Sequence, residues 1–478
     1  MKVFGMRDCL NHYINGRWVS SHSSQITKII NPATEEASGH VALGDEQDVD
    51  LAVAAAQKAF LEYSNFSLIQ KIDILEKILD GIMIRYDELA EAISLEMGAP
   101  KWLAHQYQAK RGQLHFETAI EVLKSYQFEK ISSSTQIIKE PIGVCGLITP
   151  WNWPLNQIAC KVAPALATGC TVVLKPSEIA PYSAQIFAEI IDAAGLPAGV
   201  FNMVFGGANV GAALSAHPDV RMISFTGSTA AGVDVAKKAS ESVKRVCQEL
   251  GGKSANIIFE DADIRLAVSK GLTALMTNSG QSCNAPSRML APLHKRLEII
   301  DAVCAAMDEI TVGAPQSDKK IGPVVSKKQW ETIQLYIKKG VSEGAHLIAG
   351  GLGRPEEFSQ GYYVRPTVFV DVTNDMTIAR EEIFGPVLSI IFYRSLEEAI
   401  TIANDSVYGL AAYLCGRDQE ALLKVAKRLQ AGQVNINFSA IDPFAPFGGY
   451  KKSGNGREWG ACGFEEYLET KAILGYES

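Results

Sequence analysis

The 478-residue chain has no two cysteines at the spacing of a metal or redox pair; its nine cysteines are scattered singly. An odd, dispersed set excludes a disulfide framework, and the eight histidines are equally dispersed, so no metal site is expected. Long hydrophobic runs are also missing. The most apolar stretch, Ile158 to Leu174, carries Lys161 and ends in residues that break helices and strands, which excludes a membrane span. Met1 to Ser20 sets Arg7, Asp8, His12 and Arg17 among apolar residues and lacks the apolar region of a signal peptide. Dense basic runs are absent: Lys237-Lys238 and Lys451-Lys452 read as solvated faces, and the net charge is −8. A nucleic-acid surface is therefore excluded, and a cytoplasmic protein without membrane attachment is expected.

What remains is an ordinary globular composition, 47% hydrophobic and 21% charged, in a chain too long for one compact core. Helical periodicity dominates the first third. Asp48 to Tyr63 reads as an Ala-rich helix, and Ser67 to Gly98 as a second, with Ile72, Leu75, Leu79 and Ile82 on one face. From Pro141 the pattern becomes alternating. Short apolar runs at 144–148, 171–174, 200–204 and 222–225 are separated by Gly-stopped helical segments at 156–169, 183–195 and 208–217. Fully buried strands with such crossovers predict a parallel, doubly wound sheet.

A second alternation begins near Ala255. Its expected helices are 263–276, 295–308, 326–343, 396–404 and 420–431, and its expected strands 367–370, 387–393 and 434–438. The polar stretch Ser125 to Glu140 fits neither half and reads as an extended arm that meets a partner surface.

Five clusters carry chemistry, the fourth of them in two parts, 175–178 and 225–228. A cysteine is more often packing than a nucleophile, but Cys283 follows the polar turn Asn278-Ser279-Gly280-Gln281-Ser282, which would leave its thiol accessible. Glu249 precedes Leu250-Gly251-Gly252-Lys253-Ser254; the glycines allow close backbone approach, and a carboxylate there could have a raised pKa and act as a base. Asn152 sits in the Pro-bounded loop Thr149-Pro150-Trp151-Asn152-Trp153-Pro154, where a rigid amide suits an oxyanion. Lys175-Pro176-Ser177-Glu178 ends a strand, a place where carboxylates commonly accept from ribose hydroxyls. Phe225-Thr226-Gly227-Ser228 opens a helix whose N-terminus suits a pyrophosphate, although the glycine pattern is not the usual dinucleotide fingerprint. Glu381-Glu382-Ile383-Phe384-Gly385-Pro386 is a Pro-stopped turn that would bring a carboxylate into a cleft or leave a solvated pair.

The order and spacing of these clusters, over nearly the whole chain, resemble the aldehyde dehydrogenase superfamily of the non-acylating type. The resemblance implies a Rossmann-like cofactor domain (1–122 and 142–250), a catalytic α/β domain (251–448) and a small β oligomerisation arm (123–141 and 463–478). It implies Cys283 as nucleophile, Glu249 as general base and Asn152 as oxyanion donor. Trp151, Lys175, Glu178, Gly227, Ser228, Gly251, Glu382 and Phe384 would contact the dinucleotide. The run Pro446-Phe447-Gly448-Gly449-Tyr450-Lys451 with Ser453-Gly454 would lie near the substrate entrance.

NAD would be the cofactor, because a carboxylate at Glu178 repels the 2′-phosphate of NADP; a swinging Glu178 side chain would still admit some NADP use. The expected partners are a small aldehyde and further copies of the chain, as a homodimer or homotetramer. Asn156, Gln157 and Cys160, where larger apolar residues are common, point to a short or moderately polar aldehyde.

Two rival readings are a dehydrogenase that passes its acyl group to coenzyme A, against which Glu249 counts, and a non-catalytic protein on the same fold, against which the Cys283–Asn152–Glu249 set counts. A cofactor-free cysteine hydrolase would leave Lys175, Glu178 and Glu382 unexplained.

Overall fold

The computed structural model describes residues 7–476, so the parts of the expected cofactor domain at 1–6 and of the arm at 477–478 lie outside the described residues. Three sheets organise the molecule. The largest has eight strands in the order 17–20, 11–14, 201–203, 171–175, 144–148, 222–226, 245–249 and 454–455; the five from 201–203 to 245–249 are mutually parallel. Val144–Ile148, Thr171–Lys175 and Met222–Thr226 are buried at every position, as strands covered on both faces must be. Chain order reverses between 144–148 and 222–226. In a doubly wound sheet this is where a crevice opens beyond the carboxyl ends of the strands.

The second sheet runs 346–349, 367–370, 387–393, 288–292, 255–258, 411–415 and 433–436, parallel except for its first strand. The segments Gly252–Ser254, Cys283–Ser287 and Glu382–Pro386 all enter this sheet, at the amino ends of 255–258, 288–292 and 387–393. The crevice is thus faced by carboxyl-end loops of one sheet and amino-end loops of the other. The third sheet joins 129–132, 135–141 and 468–474 into a largely exposed antiparallel arm, so the expected extended arm is a β structure that includes the C-terminal segment.

The two α/β halves and the β arm match the expected fold class. Two expectations need correcting. The first third is not purely helical: strands at 11–14, 17–20, 26–30 and 37–42 precede the first helix, Glu46–Tyr63. The expected helix over 67–98 is two helices, Leu68–Ile84 and Tyr86–Met97, broken at Arg85 (φ −102°, ψ 21°). Arg85 pairs there with Glu88 at 2.7 Å and Glu189 at 2.8 Å, a tertiary ion-pair cluster that no local breaker residue announces.

Candidate active site

The loop carrying Cys283 is held in a conformation that few sequences adopt. Asn278 (φ 57°), Ser279 (φ 55°) and Gly280 (φ 75°) are successively left-handed. At Gly280 a Cβ would lie 2.1 Å from the Gly385 carbonyl oxygen, so only glycine fits against the turn that bears Glu382. The strain is offset by buried hydrogen bonds: Ser279 Oγ donates to the Gly322 carbonyl (2.8 Å), and Gln281 Oε1 accepts from the Val325 amide (2.9 Å). Trp153 Nε1 donates to Ser282 Oγ at 2.8 Å, and Tyr413 Oη to the Asn284 carbonyl at 3.0 Å, gripping the residues on either side of Cys283.

The nine cysteines are all free, and Cys283 alone is half-buried: six others are buried, while Cys304 and Cys462 are exposed. Burial, then the charges of Glu382 and Glu249, push the Cys283 thiol up, so attack requires that its proton be removed. Asn152 Nδ2 donates to the Gln281 carbonyl at 3.0 Å, and Asn278 Nδ2 donates to the Asn152 carbonyl at 2.9 Å. Asn152 Oδ1 is buried without a partner. The amide is therefore locked beside the cysteine loop, and Asn152 and Cys283 line one cavity of about 410 Å³.

The same cavity is lined by Trp151, Gly227, Ser228, Gly251, Glu382 and Phe384, six of the eight expected cofactor contacts. Gly227 and Ser228 lie at the start of helix Thr229–Ser240, with Ser228 Oγ capping the Ala231 amide, so the positive end of the helix faces the cavity. Trp151 and Phe384 meet edge to face with centroids 5.5 Å apart. Glu382 Oε1 accepts from the Gly252 amide at 2.9 Å, and burial pushes its carboxyl up to about 7. A Cβ on Gly251 would come 2.6 Å from Glu382 Oε2, so this glycine makes room for the carboxylate.

Lys175 and Glu178 pair with each other at 3.0 Å and do not line the cavity; Ile179, the next residue, does. Glu249 also stands outside it. It ends the strand Arg245–Glu249, is 1% exposed, and neither carboxylate oxygen has a hydrogen-bond partner. Burial, followed by the charge of Glu458, raises its carboxyl well above the usual range. The expected entrance motif braces this residue from behind. Gly448 (φ 154°) would place a Cβ 2.6 Å from Glu249 Oε1, Gly454 pairs with Glu249 across two strands, and Ser453 Oγ donates to the Gly251 carbonyl at 2.6 Å.

Sequence reasoning overlooked a buried cluster beside Glu249. Lys161 Nζ donates to Glu458 and, at 3.1 Å, to Ser224 Oγ, while Cys160 Sγ lies 3.5 Å from Glu458. A lone lysine inside an apolar helix was the available signal; its partner, 297 residues away, had none. Among the described residues no cluster of three or more His, Cys, Asp or Glu could hold a metal, and no helix is long and apolar enough to cross a membrane.

A half-buried cysteine and a fixed amide thus line one crevice between the two α/β halves, with a helix N-terminus and a carboxylate on its other walls. The chain belongs to the aldehyde dehydrogenase family, whose model matches residues 18–473. Within that family it is 54% identical to 3-succinoylsemialdehyde-pyridine dehydrogenase of a Pseudomonas species, over 99% of this chain and 100% of that one. Among solved structures it is similar to a mutant of aldehyde dehydrogenase C from Pseudomonas syringae complexed with NAD+ and octanal (50% identity, TM-score 0.97, 98% of this chain and 97% of that one). Betaine aldehyde dehydrogenase from Staphylococcus aureus in complex with NAD+ is a more distant likeness (36% identity, TM-score 0.94, 97% and 94% covered).

Proposed function

We propose that the protein oxidises an aldehyde with NAD and water to the carboxylate, NADH and two protons, through a thioester on Cys283. The observation that carries this reading is the shared cavity, in which Cys283 and Asn152 stand against Trp151, Gly227, Ser228 and Glu382. The Cys283 sulfur, once deprotonated, bonds to the aldehyde carbon, and the carbonyl π pair moves onto oxygen. Asn152 Nδ2 and the Cys283 amide hold that oxyanion. Its collapse restores the C=O bond and expels hydride, for which bound NAD supplies the acceptor. Glu249 then takes a proton from water, which attacks the thioester and releases the acid and the thiol. Retention of a carboxyl raised by burial at Glu249 favours hydrolysis over transfer to coenzyme A.

The cavity fits a dinucleotide by its helix N-terminus and by Glu382, whose second oxygen is left to accept from a ribose hydroxyl. Relatives bound to NAD+ support the same cofactor here. We assign dinucleotide binding to 1–122 and 142–250, catalysis to 251–448, and self-association to the arm at 123–141 and 463–478, whose Ile131 and Leu474 are exposed. That exposed arm supports assembly as a homodimer or homotetramer. Nine free thiols suit the reducing cytoplasm.

Two measurements test this assignment. Asn152→Ala removes one oxyanion donor and is expected to lower kcat roughly 10²- to 10³-fold; steady-state rates of NADH formation at saturating aldehyde check this, and a near wild-type kcat would remove Asn152 from the reaction. Glu178→Ser is expected to raise the NADP-to-NAD ratio of kcat/KM by about tenfold or more, since a carboxylate beside a 2′-phosphate is repulsive. An unmoved ratio would place Glu178 away from the ribose.

A further inference from the structure

Arg111 belongs to no part of the reaction described so far. It follows a π-helical turn, Ala104–Ala109, and such turns often mark functional positions. Its guanidinium lies 4.2 Å from the centroid of Trp153, the ring whose Nε1 holds Ser282 beside Cys283. The groups whose charges reach it are Tyr413, Cys283 and Tyr107, and Tyr413 holds Asn284 on the other side of Cys283.

Arg111, Trp153 and Tyr413 do not line the cofactor cavity. Trp153 and Tyr413 grip the two neighbours of Cys283 and Arg111 stacks on Trp153, so the three stand by the nucleophile on a side away from the dinucleotide. The residue is half-buried, makes no hydrogen bond or ion pair to any described residue, and has no carboxylate among the charges that act on it. Burial alone brings its pKa down to about 10, which leaves it a cation at neutral pH. A half-buried guanidinium with no counter-ion is poorly compensated, and the stack on Trp153 offsets only part of that cost.

We propose that Arg111 anchors a carboxylate at the far end of the aldehyde, so that the preferred substrates are aldehydes carrying an acid group. The planar guanidinium offers paired N–H donors that match a carboxylate. With the acid end held there, the aldehyde end is free to reach Cys283. The anchoring forms no covalent bond and moves no proton. The aldehyde pocket is thereby selective by charge, with Trp153 keeping the guanidinium plane in place.

This inference rests on the aldehyde-oxidising reading, and its test separates the two. Succinic semialdehyde and butanal, matched in length and differing in the carboxylate, are compared as substrates of wild type, Arg111→Met and Arg111→Lys. The wild type is expected to favour the acid aldehyde in kcat/KM. Arg111→Met is expected to lower the acid aldehyde by roughly 10- to 100-fold while affecting butanal far less, and Arg111→Lys to restore part of the difference. An equal fall for both aldehydes would reduce Arg111 to packing on Trp153 and overturn the anchor. A wild type indifferent to the carboxylate would overturn it too. Turnover of butanal in that case leaves the aldehyde-oxidising reading standing, whereas no NADH from any aldehyde defeats that reading and the anchor together.

Discussion

Replacing Cys283 by alanine is expected to lower NAD-dependent aldehyde oxidation by at least about 10⁴-fold, since removal of the nucleophile from a covalent enzyme costs on the order of 10⁶-fold in a well-measured case. The half-buried thiol is a small side chain on a loop held by backbone and neighbouring hydrogen bonds from Ser279, Gln281 and Trp153, so its truncation leaves the loop's supports in place. Cofactor affinity, measured by quenching of tryptophan fluorescence, should therefore survive. Cys304→Ala and Cys462→Ala provide the contrast: both thiols are exposed and outside the cavity, and their loss should leave turnover intact. Undiminished activity of Cys283→Ala would dismiss the thioester route.

Glu249→Gln is expected to separate the two halves of the reaction. Attack and hydride departure need Cys283 and Asn152, whereas water needs the base. The variant should release a burst of about one NADH per subunit and then turn over roughly 10²- to 10⁴-fold more slowly than wild type. Stopped-flow absorbance resolves the two phases. A linear trace without a burst would mean that Glu249 acts before the thioester forms, as the base that deprotonates Cys283. The pH profile carries the same information. Burial raises the Glu249 carboxyl, so the basic form is lost as pH falls through that raised value, and hydrolysis slows on the acid side. The glutamine variant should lose this acid limb from its slow phase.

The parts of the fold legible in the sequence were those where burial is complete. Val144–Ile148, Thr367–Val370 and Val387–Tyr393 sit where apolar runs placed them, because strands covered on both faces read as unbroken hydrophobic stretches. The strands Asn11–Ile14 and Arg17–Ser20 went unread: each has four residues and mixes polar with apolar side chains, Arg17–Ser20 is the edge of its sheet, and Asn11–Ile14 joins the sheet interior by a single residue pair, Tyr13 with Met203. Arg85 ends a helix through ion pairs with Glu88 and Glu189, which local pattern does not encode.

The site divides in the same way. Asn152, Cys283, Ser228 and Glu382 were legible because each sits in a short motif that ends or begins a strand or helix, and all four line one cavity. Lys175 and Glu178 were legible as a pair but stand off from that cavity. The Lys161–Glu458 pair and the Arg111–Trp153 stack are tertiary contacts between distant segments, and they appear only once the chain is folded.

The central claim is the covalent thioester, and its most direct test is the intact mass of Glu249→Gln quenched in acid after mixing with NAD+ and aldehyde. A mass increase equal to the aldehyde less two hydrogens, mapped to the peptide containing Cys283, is the predicted result. A full NADH burst with no adduct, or an adduct confined to another cysteine, would contradict the account.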